Sequence, residues 1–459
     1  MENNVNIALP VPVEEILESI GNVGFEAYVV GGCVRDSLLG REPSDWDICT
    51  DALPHQVMEM FDEVIPTGLE YGTVTVIIDG EGFEVTTFRS DGRYSDGRHP
   101  DSVSFSESLE EDLSRRDFTI NAMAYNPQVG LVDLYNGQEH LKQEAIWCVG
   151  FPDDRFQEDP LRMLRAIRFS AQLDFRLHPS VRNALKENSE LLRVISFERI
   201  QSEFNKILMT EFAREHIENL HYYGLLETFI PELCDLYDLQ QNNRFHCYDV
   251  FEHTMTALEF APNNLEVRLA VLFHDLGKAL THTVDENGYD HFYAHEDFSA
   301  DMTSRVMNRL RYGRAVVSRV SGMVRHHQLR VVPSAKSVKR ALNKIDGCGF
   351  SFRELISVQI ADDSAKNLSN SSVANRLGNF SKVLDVYEEV LTLDECFSVA
   401  KLAVNGTDVL NAGYPAGVVV GDILEYLVRL VIAVPERNTR EYLLDVIEIT
   451  KDFFGGNCE

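Results

Sequence analysis

A chain of 459 residues is too long for one ordinary hydrophobic core, so about two to four domains are expected, with 44% hydrophobic residues to fill them. No run of roughly eighteen apolar residues occurs, and the start MENNVNIALPVPVEEILESI lacks the basic and apolar blocks of a signal peptide, which predicts no membrane segment and a cytoplasmic setting. The net charge of -31 excludes attraction of polyanions by the average field and leaves nucleic-acid contacts to local basic strips, while eight scattered cysteines without a CxxC pair read as reduced thiols.

Up to about Pro127 helix-like and strand-like pieces alternate: EEILESI, FEAYVVGG, TVTVIID and FEVTTFRS, the last two with apolar residues at every second position. This predicts a small mixed sheet with helices. From Asp159 onward Leu, Ile and Phe recur with helical periodicity nearly to the end. The expected class is therefore α+β, with boundaries near Gly150, Leu236 and Lys366: a head over 1–150, an all-α neck over 151–235, a body over 236–365 and a helical tail over 366–459.

The stretch VVGGCVRDSLLGREPSDWDICT begins at Val29. In an extended strand Asp45 and Asp47 present both carboxylates on one face while Trp46 faces the core. Two like charges that close are unfavourable without a cation between them, and a hard ion such as Mg2+ takes carboxylate oxygens while keeping positions for phosphate. Gly31 and Gly32 let backbone N–H groups approach a triphosphate at the start of the next helix. Such a clamp suits nucleotidyl transfer, with Glu84 on an adjoining strand as candidate third carboxylate.

The ordered segments GGCVRDSLLG, DWD, RRDFTINAMAYNP, VDLYNG, EDPLRMLRAIRF and FERIQSEFNKIL span roughly 180 residues and resemble the motif set of class II tRNA nucleotidyltransferases, the family of CCA-adding enzymes and bacterial poly(A) polymerases. The resemblance implies a nucleotidyltransferase head, a helical neck, and body and tail domains that hold the tRNA 3' end. It also implies nucleotide contacts by Gly31, Gly32, Arg35, Arg115, Arg116, Asp117, Asn121, Asp159, Arg162 and Arg165. In this scheme Arg115 and Arg116 hold phosphate, unless one is the structural partner of an acid, and Asp117 and Asn121 bond ribose hydroxyls. Asp133, Glu198 and Arg199 match positions that organise head and neck.

Asp159 followed by Pro160 reads as a helix N-cap with proline at the first helical position, which places Arg162 on the same face. A carboxylate accepts from the exocyclic amine that cytosine and adenine share, and a guanidinium donates to the bare ring nitrogen beside it. Uracil and guanine present the opposite pattern, so the pair predicts CTP and ATP as substrates. The Gly, Asp and Ser-rich stretch between Arg89 and Ser114 reads as a loop, and the resemblance associates such a loop with addition of the terminal A.

A second constellation follows in FHCYDVFEHTMTALEF, LAVLFHDLGKALTHT, FYAHEDFSADM and VRHHQLR, which resembles the HD phosphohydrolase domain. His253, His274, Asp275, His295 and Asp362 form the expected metal shell, with His246, His326 and His327 as further candidates and Lys278 facing a phosphate. Mg2+ is expected at the head, and Mn2+, Co2+, Ni2+ or Mg2+ at the HD site. Hydrolysis of a phosphoester, such as a 2',3'-cyclic phosphate at a damaged tRNA end, follows. In the tail, Gly406, Gly413, Gly417 and Gly421 mark turns and a helix start suited to an RNA backbone. The alternatives to CCA addition are an A-adding enzyme or poly(A) polymerase, against which the acidic end KDFFGGNCE speaks, and an HD-type phosphodiesterase with an inactive RNA-binding head.

Overall fold

Buried and part-exposed positions alternate along Thr73–Ile78 and Glu81–Thr87, as strands covered on one face require, and these two pair antiparallel in a seven-stranded sheet. The strand order is Val64–Gly68, Thr73–Ile78, Glu81–Thr87, Ile48–Thr50, Ala27–Val30, Met123–Asn126, Gly130–Asp133. Only Ile48–Thr50 and Glu81–Thr87 run parallel, with Ile48 opposite Val85, so the sheet is mixed. The computed structural model describes residues 5–91, 103–242 and 245–451. The chain divides into two compact units, Met1–Pro231 and Glu232–Glu459. The stretch expected to accompany addition of A lies, at 92–102, outside the described residues, as do 452–459 of the acidic end.

In the first unit the helix Val11–Asn22 buries Val13, Ile16, Leu17 and Ile20, one stripe of a 3.6-residue period. Helix Leu161–Leu173 is buried almost all round, packs against Phe197–Leu208, and ends at Asp174 in the left-handed conformation. The neck is not wholly helical: the two-residue strand Arg176–Leu177 pairs parallel with Ala145–Ile146.

The second unit is built of helices around a buried centre, among them Val250–Glu259, Leu265–Phe273, His295–Arg309, Arg314–His326 and Phe352–Ser364. Ser351 and Glu354 close a capping box at the start of the last of these. One hairpin, His282–Val284 with Asp290–Phe292, interrupts the helical pattern. Its turn is stabilised by Asp285, whose Oδ1 accepts from the backbone N–H groups of Asn287 and Tyr289. The tail has its own core, including Val409, Tyr414, Ile423, Leu427, Leu443 and Ile447. Among the described residues no helix is long and apolar enough to cross a membrane.

Candidate nucleotidyl-transfer and HD sites

Asp45 and Asp47 stand in the extended run just ahead of strand Ile48–Thr50 rather than inside it. Pairing nevertheless reaches Asp47, since Val30 N–H donates to the Asp47 carbonyl at 2.9 Å. Trp46, expected to face the core, is only half-buried because the strand proper starts two residues later. The parallel register, extended by one residue, sets Asp47 beside Glu84. Burial, then the charges of Asp45 and Glu84, push the Asp47 carboxyl up to about 6 against the opposing pull of Arg116. Three carboxylates thus meet with one cation nearby, an all-oxygen donor set that fits a hard divalent ion.

Gly31 has φ +85° and its N–H donates to Met123 O at 3.2 Å. A Cβ there would meet Arg116 Nη1 at 3.3 Å in a conformation that side chains rarely adopt, so glycine keeps this floor open. Arg115 and Arg116 both turn to Asp112, a fully buried acid, at 2.6 and 3.0 Å on separate oxygens. One arginine as the partner of an acid was the expected alternative; here both are. Asp112 itself went unnoticed in the sequence, although its position three and four residues before the arginines, which follow the short helix Leu109–Ser114, was the available signal.

Asp117 and Asn121, expected on ribose hydroxyls, bond protein groups. Arg35 Nη1 donates to Asn121 Oδ1 at 2.6 Å, Asn121 Nδ2 donates to Asp117 Oδ1 at 3.2 Å, and Arg165 Nε donates to Asp117 Oδ2 at 2.7 Å. Burial raises the Asp117 carboxyl, but Arg165 and Arg162 overcome it and hold it at about 2.

Helix Leu161–Leu173 begins one residue after Pro160, so proline occupies the cap rather than the first turn, and Asp159 closes the preceding helix Pro152–Glu158. Asp159 still serves the helix start, with Oδ1 accepting from Leu161 N–H at 3.0 Å. Its Oδ2 accepts from Arg199 Nη2 at 2.8 Å, while Arg162 donates to Glu158 Oε2 at 2.6 Å and to the Arg115 carbonyl at 2.9 Å. The two expected base-reading groups are therefore neighbours held by separate partners. Asp133 accepts from the N–H groups of Gly137 and Gln138 and starts helix Gly137–Lys142.

In the second unit His253, His274 and Asp362 place ligand atoms within 4.8 Å of one another, as do Asp275, His295 and His327. All six residues are buried. His274 Nε2 lies 3.1 Å from Asp275 Oδ2 without making a hydrogen bond, and His253 Nε2 lies 3.1 Å from Asp362 Oδ1. His274, His295 and His327 each set Nδ1 against a backbone carbonyl, of Val271, Phe292 and Val324, which turns each Nε2 inward. Burial works against charge on His274, yet Asp275 and Asp362 raise it to about 9; burial and the neighbouring imidazoles hold His327 at about 3. Among these imidazoles the buried Nε2 of His274 has no hydrogen-bond partner, while His253 Nε2 bonds Asp362 and His295 Nε2 meets His327 Nε2 at 3.3 Å; this clustering of buried ligand atoms fits a divalent metal.

Gly277 of the HDLGK segment lets helix His295–Arg309 approach, for a Cβ there would come within 2.6 Å of Ser299 N. Lys278 sits 2.7 Å from Asp275 rather than free in the cleft. Lys366, overlooked in the sequence although four residues from Asp362, donates to Asp362 Oδ2 at 2.7 Å and leaves Oδ1 to the histidines. His246 meets His253 edge-on at 4.8 Å between ring centres, and His326 belongs to neither ligand group. Of the expected tail glycines, Gly406 opens Gly406–Asn411, Gly413 follows the cap of that helix and Gly417 caps Val418–Ala433, whereas Gly421 lies inside Val418–Ala433 and marks no turn.

Three family models match the chain in order: the poly A polymerase head domain over 27–147, the probable RNA and SrmB-binding site of polymerase A over 174–236, and the HD domain over 245–350. The chain is 49% identical over 212 residues to a CCA-adding enzyme of Lactobacillus delbrueckii subsp. bulgaricus, which is 46% of this chain and 54% of that protein. It is 47% identical over 220 residues to the CCA-adding enzyme of Geobacillus thermodenitrificans, 48% and 54% of the two chains. It thus spans about half the length of the curated relatives it matches. The crystal structure of the Bacillus stearothermophilus CCA-adding enzyme in complex with CTP superposes with a TM-score of 0.72 at 28% identity, covering 98% of this chain and 100% of that one. The Thermotoga maritima CCA-adding enzyme complexed with tRNA shares the fold, with a TM-score of 0.58 at 19% identity and 96% of each chain covered. The chain thus carries a poly A polymerase head domain, a probable RNA-binding segment of polymerase A and an HD domain in succession, and it is similar to CCA-adding enzymes over about half of its length and in overall fold.

Proposed function

We propose that the chain adds or repairs the 3'-terminal CCA of tRNA from CTP and ATP without a nucleic-acid template, with Asp45, Asp47 and Glu84 holding Mg2+. The observation that carries this is the convergence of those three carboxylates beside the open turn at Gly31. When bound there, a pair of divalent ions supplies activation of the RNA 3'-hydroxyl and neutralisation of the leaving pyrophosphate. Asp159 and Arg162 choose the base: each carboxylate oxygen keeps a lone pair beyond the bonds to Leu161 and Arg199, and the guanidinium keeps N–H donors beyond those to Glu158 and Arg115. Relatives crystallised with CTP, with ATP and with tRNA support the choice of partners. We propose the four-part division into head, neck, HD body and tail on the same grounds.

The test offers tRNA lacking its last three nucleotides. CTP alone is expected to add two nucleotides, CTP with ATP three, and Asp45→Asn with Asp47→Asn none. Addition of A to a primer ending in CC without C addition to the shorter one overturns the proposal in favour of an A-adding enzyme, and a long run of A in favour of poly(A) polymerase. The buried histidine and aspartate cluster favours a second activity, hydrolysis of a phosphoester such as a 2',3'-cyclic phosphate, with Mn2+, Co2+, Ni2+ or Mg2+ bound. A phosphodiesterase rate that survives His274→Ala with Asp275→Ala would remove that activity from this cluster.

A further inference from the structure

The HD cluster opens into a cavity of 1030 Å³ lined by His295, Asp362, Lys278 and Lys366 and by aromatic residues including Tyr293 and Phe380. Leu329, Arg330 and Val332 form part of its wall and also part of the wall of a second recess of 410 Å³, which Lys336, Arg340 and Lys344 complete. Arg330, Lys336, Arg340 and Lys344 are exposed, and none of them stands in an ion pair among the described residues.

The last three occupy i, i+4 and i+8 of helix Ala335–Ile345 and so form one stripe, in which like charges repel unless an anion lies along them. The opposite face of that helix is packed through Val338, Ala341, Leu342 and Ile345, and its one buried lysine, Lys339, has an acid of its own, Glu395 at 2.7 Å. The outward cations have none. In a chain with net charge -31, four unpaired cations around one recess are a local reversal of the average field.

We propose that this recess binds the phosphodiester backbone of an RNA strand whose 3' end enters the larger cavity, so that the HD cluster acts on a phosphoester at an RNA terminus rather than on a free nucleotide. The inference rests on the hydrolytic reading of that cluster and names its substrate class. A free nucleotide is accommodated by the larger cavity alone and leaves the cationic stripe without a counter-charge. Spaced cations along a groove are what a strand with one phosphate per nucleotide requires, and the aromatic walls offer stacking for the terminal base. Hydrolysis of a terminal 2',3'-cyclic phosphate takes one water: a P–O bond to the water oxygen forms, one P–O bond to the ribose opens, and the released ribose oxygen takes up a proton.

The experiment uses the full chain loaded with Mn2+ and its Lys336→Gln, Arg340→Gln, Lys344→Gln variant, with 2',3'-cyclic AMP and an RNA decanucleotide ending in 2',3'-cyclic phosphate as substrates. The variant is expected to hydrolyse the mononucleotide at an unchanged rate. On the RNA its kcat/KM should fall about tenfold or more, through KM, with the salt dependence shallower by about two in log–log slope, as lost contacts to a single strand require. Equal effects on both substrates, or no effect on the RNA, overturn the proposal. If the wild-type protein hydrolyses neither, the hydrolytic reading falls, and photo-crosslinking of a 4-thiouridine RNA decides the recess separately. A crosslink within 335–345, lost in the variant, retains the RNA-binding face, and its absence overturns it.

Discussion

Arg199 lies in the FERI segment, forty residues from Asp159, yet its Nη2 fixes one oxygen of that carboxylate at 2.8 Å. A free carboxylate rotates about its terminal torsion; one anchored on both oxygens, by Arg199 and by Leu161 N–H, presents its remaining lone pairs in one plane. In the base-reading role proposed for Asp159, discrimination of cytosine and adenine from uracil and guanine would depend on that plane, because a misaligned acceptor leaves polar groups unpaired at a cost of about 1–3 kcal/mol each. Arg199→Ala is therefore expected to raise misincorporation of UTP and GTP relative to CTP by roughly tenfold. Arg199→Lys should restore part of the discrimination, because it returns a charge but not the planar fork. Nucleotide competition on tRNA ending before CCA measures this. A variant that slows all four nucleotides equally would reduce Arg199 to a scaffold contact. In the sequence the Asp159–Arg162 spacing was legible, but the tie to Arg199 was not, since it joins two helices that only packing brings together.

At the scale of elements, Asp117 fastens the segment before strand Met123–Asn126 to helix Leu161–Leu173 through Arg165. Its folded-state carboxyl is depressed from 3.8 to about 2, so the ionised form is favoured by folding. At about 1.4 kcal/mol per pH unit this contributes on the order of 2 kcal/mol. A depressed carboxylate stabilises the protein fully above its unfolded value and loses that contribution as pH falls through the folded value. Hence Asp117→Asn is expected to lower the unfolding free energy by about that amount at neutral pH, with the gap to wild type closing only below about pH 4. Urea titrations down to the acid limit of folding check it; a gap constant across that range contradicts the ion-pair account.

The alternating strands and the amphipathic helices of this region were readable, because periods of 2 and 3.6 leave their mark on local sequence. The exact start of Ile48–Thr50 was not, nor was the hairpin at His282–Val284, where short strands carry too few residues to show a period. The candidate ligands His253, His274 and His295 were legible through the HD doublet, whereas His327 ranked with His246 and His326 until the fold separated them.

At the scale of the whole molecule, two candidate metal sites lie in different compact units and differ in donor chemistry. In Met1–Pro231 the donors are carboxylate oxygens alone, which suit hard Mg2+; in Glu232–Glu459 four imidazoles join two carboxylates, which suits Ni2+ or Co2+. A ligand that binds only the folded state protects whichever segments must open to release it, by a factor that follows its concentration over its dissociation constant. At 100-fold excess over that constant the gain is about 2.7 kcal/mol. Ni2+ is therefore expected to slow amide exchange up to about 100-fold in Leu265–Phe273 and Phe352–Ser364, which carry or adjoin the ligands, while Ile48–Thr50 stays unchanged. His274→Ala should erase the effect and Asp45→Asn should leave it intact. Hydrogen exchange read by mass spectrometry resolves these segments in the intact chain, and equal protection of both units by Ni2+ would show that donor chemistry does not separate the two sites.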